Sequence, residues 1–217
     1  MIRCCSALIV LALVLTAPLP LAGEGSSVQT SGMRVAVVVD TSQATVGSFN
    51  LVRPAASTLI EGLPEGTEVL LATTGRRMQV RVPPTTDRKK LLDSARGLTS
   101  DGGPTVLMDG LLEIDERFMR KANDRKPVFV IVTGDGSEGS VRTDGAAFNT
   151  WLRTLAPRGV VAHAVVLKSG NGLPEVVANA MTQATNGHFE TIGNAGLLQG
   201  KMEALAALLS NGRQQMK

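Results

Sequence analysis

Short β-rich apolar runs alternate with helix-period segments along residues 34–210, and this alternation confines the chain to few folds. The runs lie at 34–39 (RVAVVV), 68–73 (EVLLAT), 78–82 (MQVRV), 127–132 (PVFVIV), 160–167 (VVAHAVVL) and 188–192 (HFETI). The segments with helical periodicity are 48–61, 86–97, 107–121, 143–155, 173–185 and 195–210. The runs at 34–39, 127–132 and 160–167 are almost continuously apolar, as a strand needs when helices cover both its faces. One pair departs from the alternation: "EVLLATTGRRMQVRV" is two strands joined by a glycine-containing turn, which predicts a hairpin. The expected architecture is therefore α/β, a three-layer αβα sandwich whose mainly parallel central sheet has one antiparallel edge strand. Ligands of such sheets bind outside the carboxyl ends of the strands, where the strand order reverses.

The first 23 or so of the 217 residues have a different texture. "MIRCCSALIVLALVLTAPLPLAGEG" has one basic residue, an apolar run too short to be a comfortable membrane span, and then a small-residue region. It reads as a secretory signal peptide, followed by a linker to residue 32, a domain over 33–210 and a tail over 211–217. An uncleaved anchor is the alternative. The expected location is secreted or periplasmic, with no membrane attachment after cleavage. Cleavage would remove both cysteines, Cys4 and Cys5, leaving no thiol for a disulfide, a metal site or a nucleophile. It would also remove Arg3, taking the formal charge from +3 to +2. With so small a charge and 3% aromatic residues, nucleic acid is not an expected partner. Arg76, Arg77, Arg88, Lys89 and Lys90 read as solvated faces and turn edges.

Small oxygen-bearing residues gather at the predicted strand ends. The first strand runs into Asp40 and Ser42, the loop "TSDGGPTVLMDGL" brings Thr105, and the fourth strand runs into "TGDGSE" with Thr133, Asp135 and Ser137. Carboxylates and hydroxyls without histidine or cysteine form a hard-oxygen set that suits Mg²⁺. Without a cation, two neighbouring aspartates would repel each other. Each residue also has a plainer role. Asp40 and Ser42 can cap the following helix, Thr105 can be an ordinary helix-start residue, Asp109 a first-turn carboxylate, and Asp135 a turn residue.

In order, "VVVDTSQA", "GGPTVLMDGL" and "VFVIVTGDG" resemble the three segments of the metal-ion-dependent adhesion site of von Willebrand factor type A domains. The resemblance extends over nearly all of residues 33–210. It implies metal ligation by Asp40, Ser42 and Thr105, and by Asp135 directly or through water, with Mg²⁺ as the cofactor. It also implies that a protein partner completes the metal's shell with an acidic side chain. Two positions depart from the family pattern. Ala44 stands where the second motif serine belongs, and Gly134 intervenes between Thr133 and Asp135.

Enzymatic readings have little material. "GDGSEG" matches a dinucleotide-binding pattern, but no acidic residue closes the next strand, which ends in Leu167 and Lys168. His163 lies within an apolar strand and reads as a satisfied core residue, and His188 as a turn-edge residue. The expectation is non-enzymatic protein–protein recognition. One alternative is a metal-free scaffold binding through loops 41–47, 99–106 and 134–142. Another, of a different class, is a metal-dependent α/β hydrolase using Asp40.

Overall fold

The computed structural model describes residues 32–122, 124–168 and 172–214. The expected leader and most of the linker lie outside these residues. The strands are β1 (Met33–Val39), β2 (Glu68–Thr73), β3 (Gln79–Thr85), β4 (Lys126–Gly134), β5 (Val161–Leu167) and β6 (Phe189–Ile192). They form one sheet in the order β3-β2-β1-β4-β5-β6. All neighbours pair in parallel except β2 and β3, the hairpin, which makes β3 the antiparallel edge.

The period of two along each strand sorts its side chains into two cores. Val35, Val37, Val39, Val130 and Val165 face α1 (Phe49–Gly62), α2 (Arg88–Arg96) and α6 (Leu198–Gln214). Ala36, Val38, Phe129, Ile131 and Val166 face α3 (Leu107–Ile114), α4 (Gly145–Leu152) and α5 (Leu173–Ala184). The result is the three-layer sandwich expected from the sequence.

The expected helix over 107–121 is interrupted. After Ile114 the backbone passes into a π-helical turn, Asp115–Met119. That turn holds the fully buried Asp115 carboxylate against Trp151 Nε1 at 2.8 Å and Arg158 Nη2 at 2.7 Å, with Arg120 Nε at 3.1 Å. A buried carboxylate survives only with such partners, and they fasten α3 to the α4–β5 connection.

The order reverses between β1 and β4, so the carboxyl ends of these central strands open the crevice where a ligand is expected.

Candidate functional site

Asp40 follows β1 directly and is buried at the reversal point. Its carboxylate accepts from Ser42 N–H at 2.7 Å, Gly134 N–H at 3.0 Å and the Thr133 hydroxyl at 3.1 Å. Asp40 has no cationic side chain within salt-bridge distance among the described residues. Neutral donors from the ends of β1 and β4 hold its charge. Ser42 is buried beside it as the N-cap of a 3-10 turn, Gln43–Ser48, and its Oγ accepts from Ala44 N–H at 3.3 Å. The capping role is thus the one Ser42 performs here.

Thr105 is fully buried, and its hydroxyl donates to the Thr74 carbonyl at 2.6 Å. Asp135 is buried too, but its carboxylate turns to the start of α5, where it accepts from the Gly172 N–H. The Gly172 N–H thus reaches Asp135, while Ser42, Thr133 and Gly134 reach Asp40. Gly134, at the place where the family pattern has its aspartate, packs on the loop after β1. A Cβ there would come within 2.8 Å of Ala44 Cβ and 3.0 Å of Thr45 Cγ2. Gly136 packs on the same methyl group, and its Cβ would lie 2.6 Å from Ala44 Cβ. The two departures from the motif, Ala44 and Gly134, touch each other and account for one another.

The donor set fits a divalent cation in part. Asp40, Ser42 and Thr105 supply one carboxylate and two hydroxyls from two loops. Among the described residues, no group of three or more His, Cys, Asp or Glu side chains is placed to hold a metal ion.

Sequence reasoning missed several residues that shape the crevice. Glu138 bridges the loop after β4 to α3, accepting from Leu107 N–H at 3.1 Å and Ser140 N–H at 2.9 Å. It supplies the N-terminal acceptor that Val106, the N-cap, lacks. Burial raises its carboxyl above the usual range, although the hydrogen bonds from Ser140 and Leu107 oppose this. Asp109, a first-turn carboxylate as expected, also receives this loop, through Val141 N–H at 3.1 Å and Arg142 N–H at 3.3 Å. Burial works to raise its carboxyl, yet hydrogen bonds from Thr143, Arg142 and Val141 and the Arg142 charge bring it below the ordinary value. Gln43 N–H donates to the Gly103 carbonyl at 2.9 Å, joining the first loop to the second. Gly103 has φ +68°, which only glycine adopts freely. The loops at 41–47, 99–106 and 134–142 form one hydrogen-bonded rim.

Val46 and Val141 expose large apolar side chains on this rim. The large hydrophobic side chains exposed among the described residues are Val46, Val141, Leu173, Val176, Leu197 and Leu208. All but Leu208 lie on segments that leave the carboxyl end of a strand. Val141, 91% exposed, is on the loop after β4. Arg76 and Arg77, in the β2–β3 turn, are exposed at the same end, and Arg76 lies over Gly103.

A doubly wound sheet with hydroxyls and a buried carboxylate at the reversal point defines the class of fold: an α/β sandwich like that of von Willebrand factor A domains. Residues 35–137 are matched by the family model of the von Willebrand factor type A domain, and the chain has the fold of that family. A von Willebrand factor type A protein from Catenulispora acidiphila superposes with a TM-score of 0.70 at 14% identity, over 82% of this chain and 42% of that one. A conserved hypothetical protein, BatB from Bacteroides thetaiotaomicron, gives 0.66 at 13% identity, over 84% of this chain and all (100%) of that one. Proximal thread matrix protein 1 from the mussel byssus, solved with a zinc-occupied MIDAS motif, gives 0.63 at 16% identity over 82% of this chain. The chain spans 47% of the mussel protein's length, and so less than half of both it and the Catenulispora protein. No curated protein matches the sequence. Among the described residues no helix is long and apolar enough to cross a membrane.

Proposed function

We propose that this domain recognises another protein without catalysing a reaction, and does so with the rim at the carboxyl end of its sheet. The observation that carries this reading is the placement of exposed apolar side chains. Isolated surface hydrophobics need no explanation, but their concentration at one end of a fold marks an interaction surface. The exposed Arg76 and Arg77 at that end favour an acidic partner surface. Export to the periplasm or outside the cell is part of the proposal and rests on the leader-like residues 1–23. The test is to isolate binding partners with the mature domain and with Val141→Asp. Retention of the same partners by both would remove the rim from the reading.

A second reading keeps the partner's carboxylate but places a Mg²⁺ between it and Asp40, Ser42 and Thr105, with Asp135 engaged through water. A buried carboxylate without a cationic neighbour favours it, and so does the zinc in the mussel protein's motif. When bound, the ion would supply positive charge and an open coordination position; the chain's own part is to hold Asp40 in place through Ser42, Thr133 and Gly134. Melting curves with Mg²⁺ and with chelator separate the two readings. An ion present at 100 times its dissociation constant would stabilise the fold by about 2.7 kcal/mol, and Asp40→Ala would abolish that gain. Coincident curves leave direct contact by the loops.

A further inference from the structure

We propose that the opposite, amino-terminal end of the sheet carries a small-molecule site that takes an amphipathic carboxylate, its acid group on His163 and its tail against Leu208 and Leu209. A cavity of about 510 Å³ lies there between the starts of β1, β4 and β5 and the second half of α6. That is within the range of pockets that enclose small ligands. Val128, Leu208 and Leu209 line its apolar side, and His163, Lys126 and His188 line the rest.

His163 is only 6% exposed. Its Nδ1 accepts the His188 backbone N–H at 3.1 Å. A ring nitrogen that accepts carries no proton, so the proton of the neutral imidazole is on Nε2. That Nε2–H has no hydrogen-bond partner among the described residues. His163 lines the cavity, so this donor is available to an acceptor that enters it. The expectation of a satisfied core histidine therefore holds for one nitrogen of two.

Lys126, which lines the cavity, selects the charge of that acceptor. Burial, and then the neighbouring His188 and Lys126, depress the His163 pKa to about 4. Burial opposes charge of either sign, and the preference for an anion comes from the Lys126 ammonium that lines the cavity. Lys126 has no carboxylate within salt-bridge distance among the described residues. The carboxylate on this side, Glu190, is engaged by Lys201 Nζ at 2.6 Å, with His188 Nε2 at 3.5 Å. The half-exposed Leu208 leaves the apolar wall open to a chain entering from solvent.

The test is titration of the full chain with sodium octanoate, followed by NMR of the histidine ring and leucine methyl signals. Saturable shifts of His163, Leu208 and Leu209 are expected, with octanol and octylamine giving none and acetate binding more weakly. Leu208→Glu, at a half-exposed position that leaves the fold intact, should weaken octanoate about tenfold or more, and Lys126→Gln several-fold, read on the same scale. Absence of saturable shifts, equal response to octylamine, or undiminished binding by Leu208→Glu would overturn the proposal. Shifts confined to the opposite rim would do so as well.

Discussion

Gly134 donates its backbone N–H to Asp40 Oδ2 at 3.0 Å while its missing side chain leaves room for Ala44. One residue thus satisfies the buried carboxylate and lets the loops after β1 and β4 close on each other. Gly134→Ala should therefore crowd Ala44 and Thr45 and cost about 1–3 kcal/mol. Adding Ala44→Gly should recover a part of that loss, because the two sites share one contact. Urea unfolding of the four members of the cycle measures the coupling. Additive losses would mean that the loops give way independently.

Removing the acceptor should be felt on both strands. In Asp40→Ala the N–H groups of Ser42 and Gly134 lose their partner in a buried place, each at about 1–3 kcal/mol. The loss is expected in chelator as well as in Mg²⁺, since these donors hold the carboxylate whether or not an ion is bound. Chemical denaturation in both buffers checks it.

Asp115 offers a built-in reporter. It accepts from Trp151 Nε1, and Trp151 is the chain's one tryptophan. Asp115→Ala removes the carboxylate shared by Arg158 and Arg120 and should destabilise by about 3–5 kcal/mol. Intrinsic fluorescence should register both the lower midpoint and an altered native-state emission.

Acid should expose His163. Its pKa falls from 6.5 to about 4 on folding, with burial as the first cause. The unfolded chain then binds more protons between those values, so stability rises with pH there. The contribution is fully present above pH 6.5 and is lost as the pH falls towards 4, about 3 kcal/mol in all. Glu138, raised on folding, acts in the opposite sense as acid is added. The comparison that isolates His163 is the pH profile of His163→Leu, which should be flatter between pH 4 and 6.5 in urea titrations.

The sequence made most of the fold legible because its signals are local. Each strand run and each helical period reappears within a few residues of its expected place, and "TTGRRM" announced the antiparallel edge. The helix expected over 107–121 turns π-helical at Asp115–Met119, where Asp115 meets Trp151 and Arg158, 36 and 43 residues away, and no local period encodes such partners. The crevice was half legible. Asp40, Ser42 and Thr105 lie at strand ends and loops as expected. The pairing of Asp40 with Thr133 and Gly134 depends on the β1–β4 register, which a single strand's sequence does not contain. The turn of Asp135 towards Gly172 and the reach of Glu138 to Leu107 are likewise contacts between distant segments. The motif departures at Ala44 and Gly134 carried the clue, as two small residues at facing positions suggest that they meet.

Thr105 N–H donates to the Ser137 carbonyl at 3.0 Å and the Thr105 carbonyl accepts from Gly139 N–H at 2.6 Å, while the Gly103 carbonyl accepts from Gln43 N–H. Segments far apart in the chain are thereby stitched into a single cassette. A variant with altered recognition would have to exchange that cassette as a whole, since a swapped loop would arrive without the stitches that shape its neighbours.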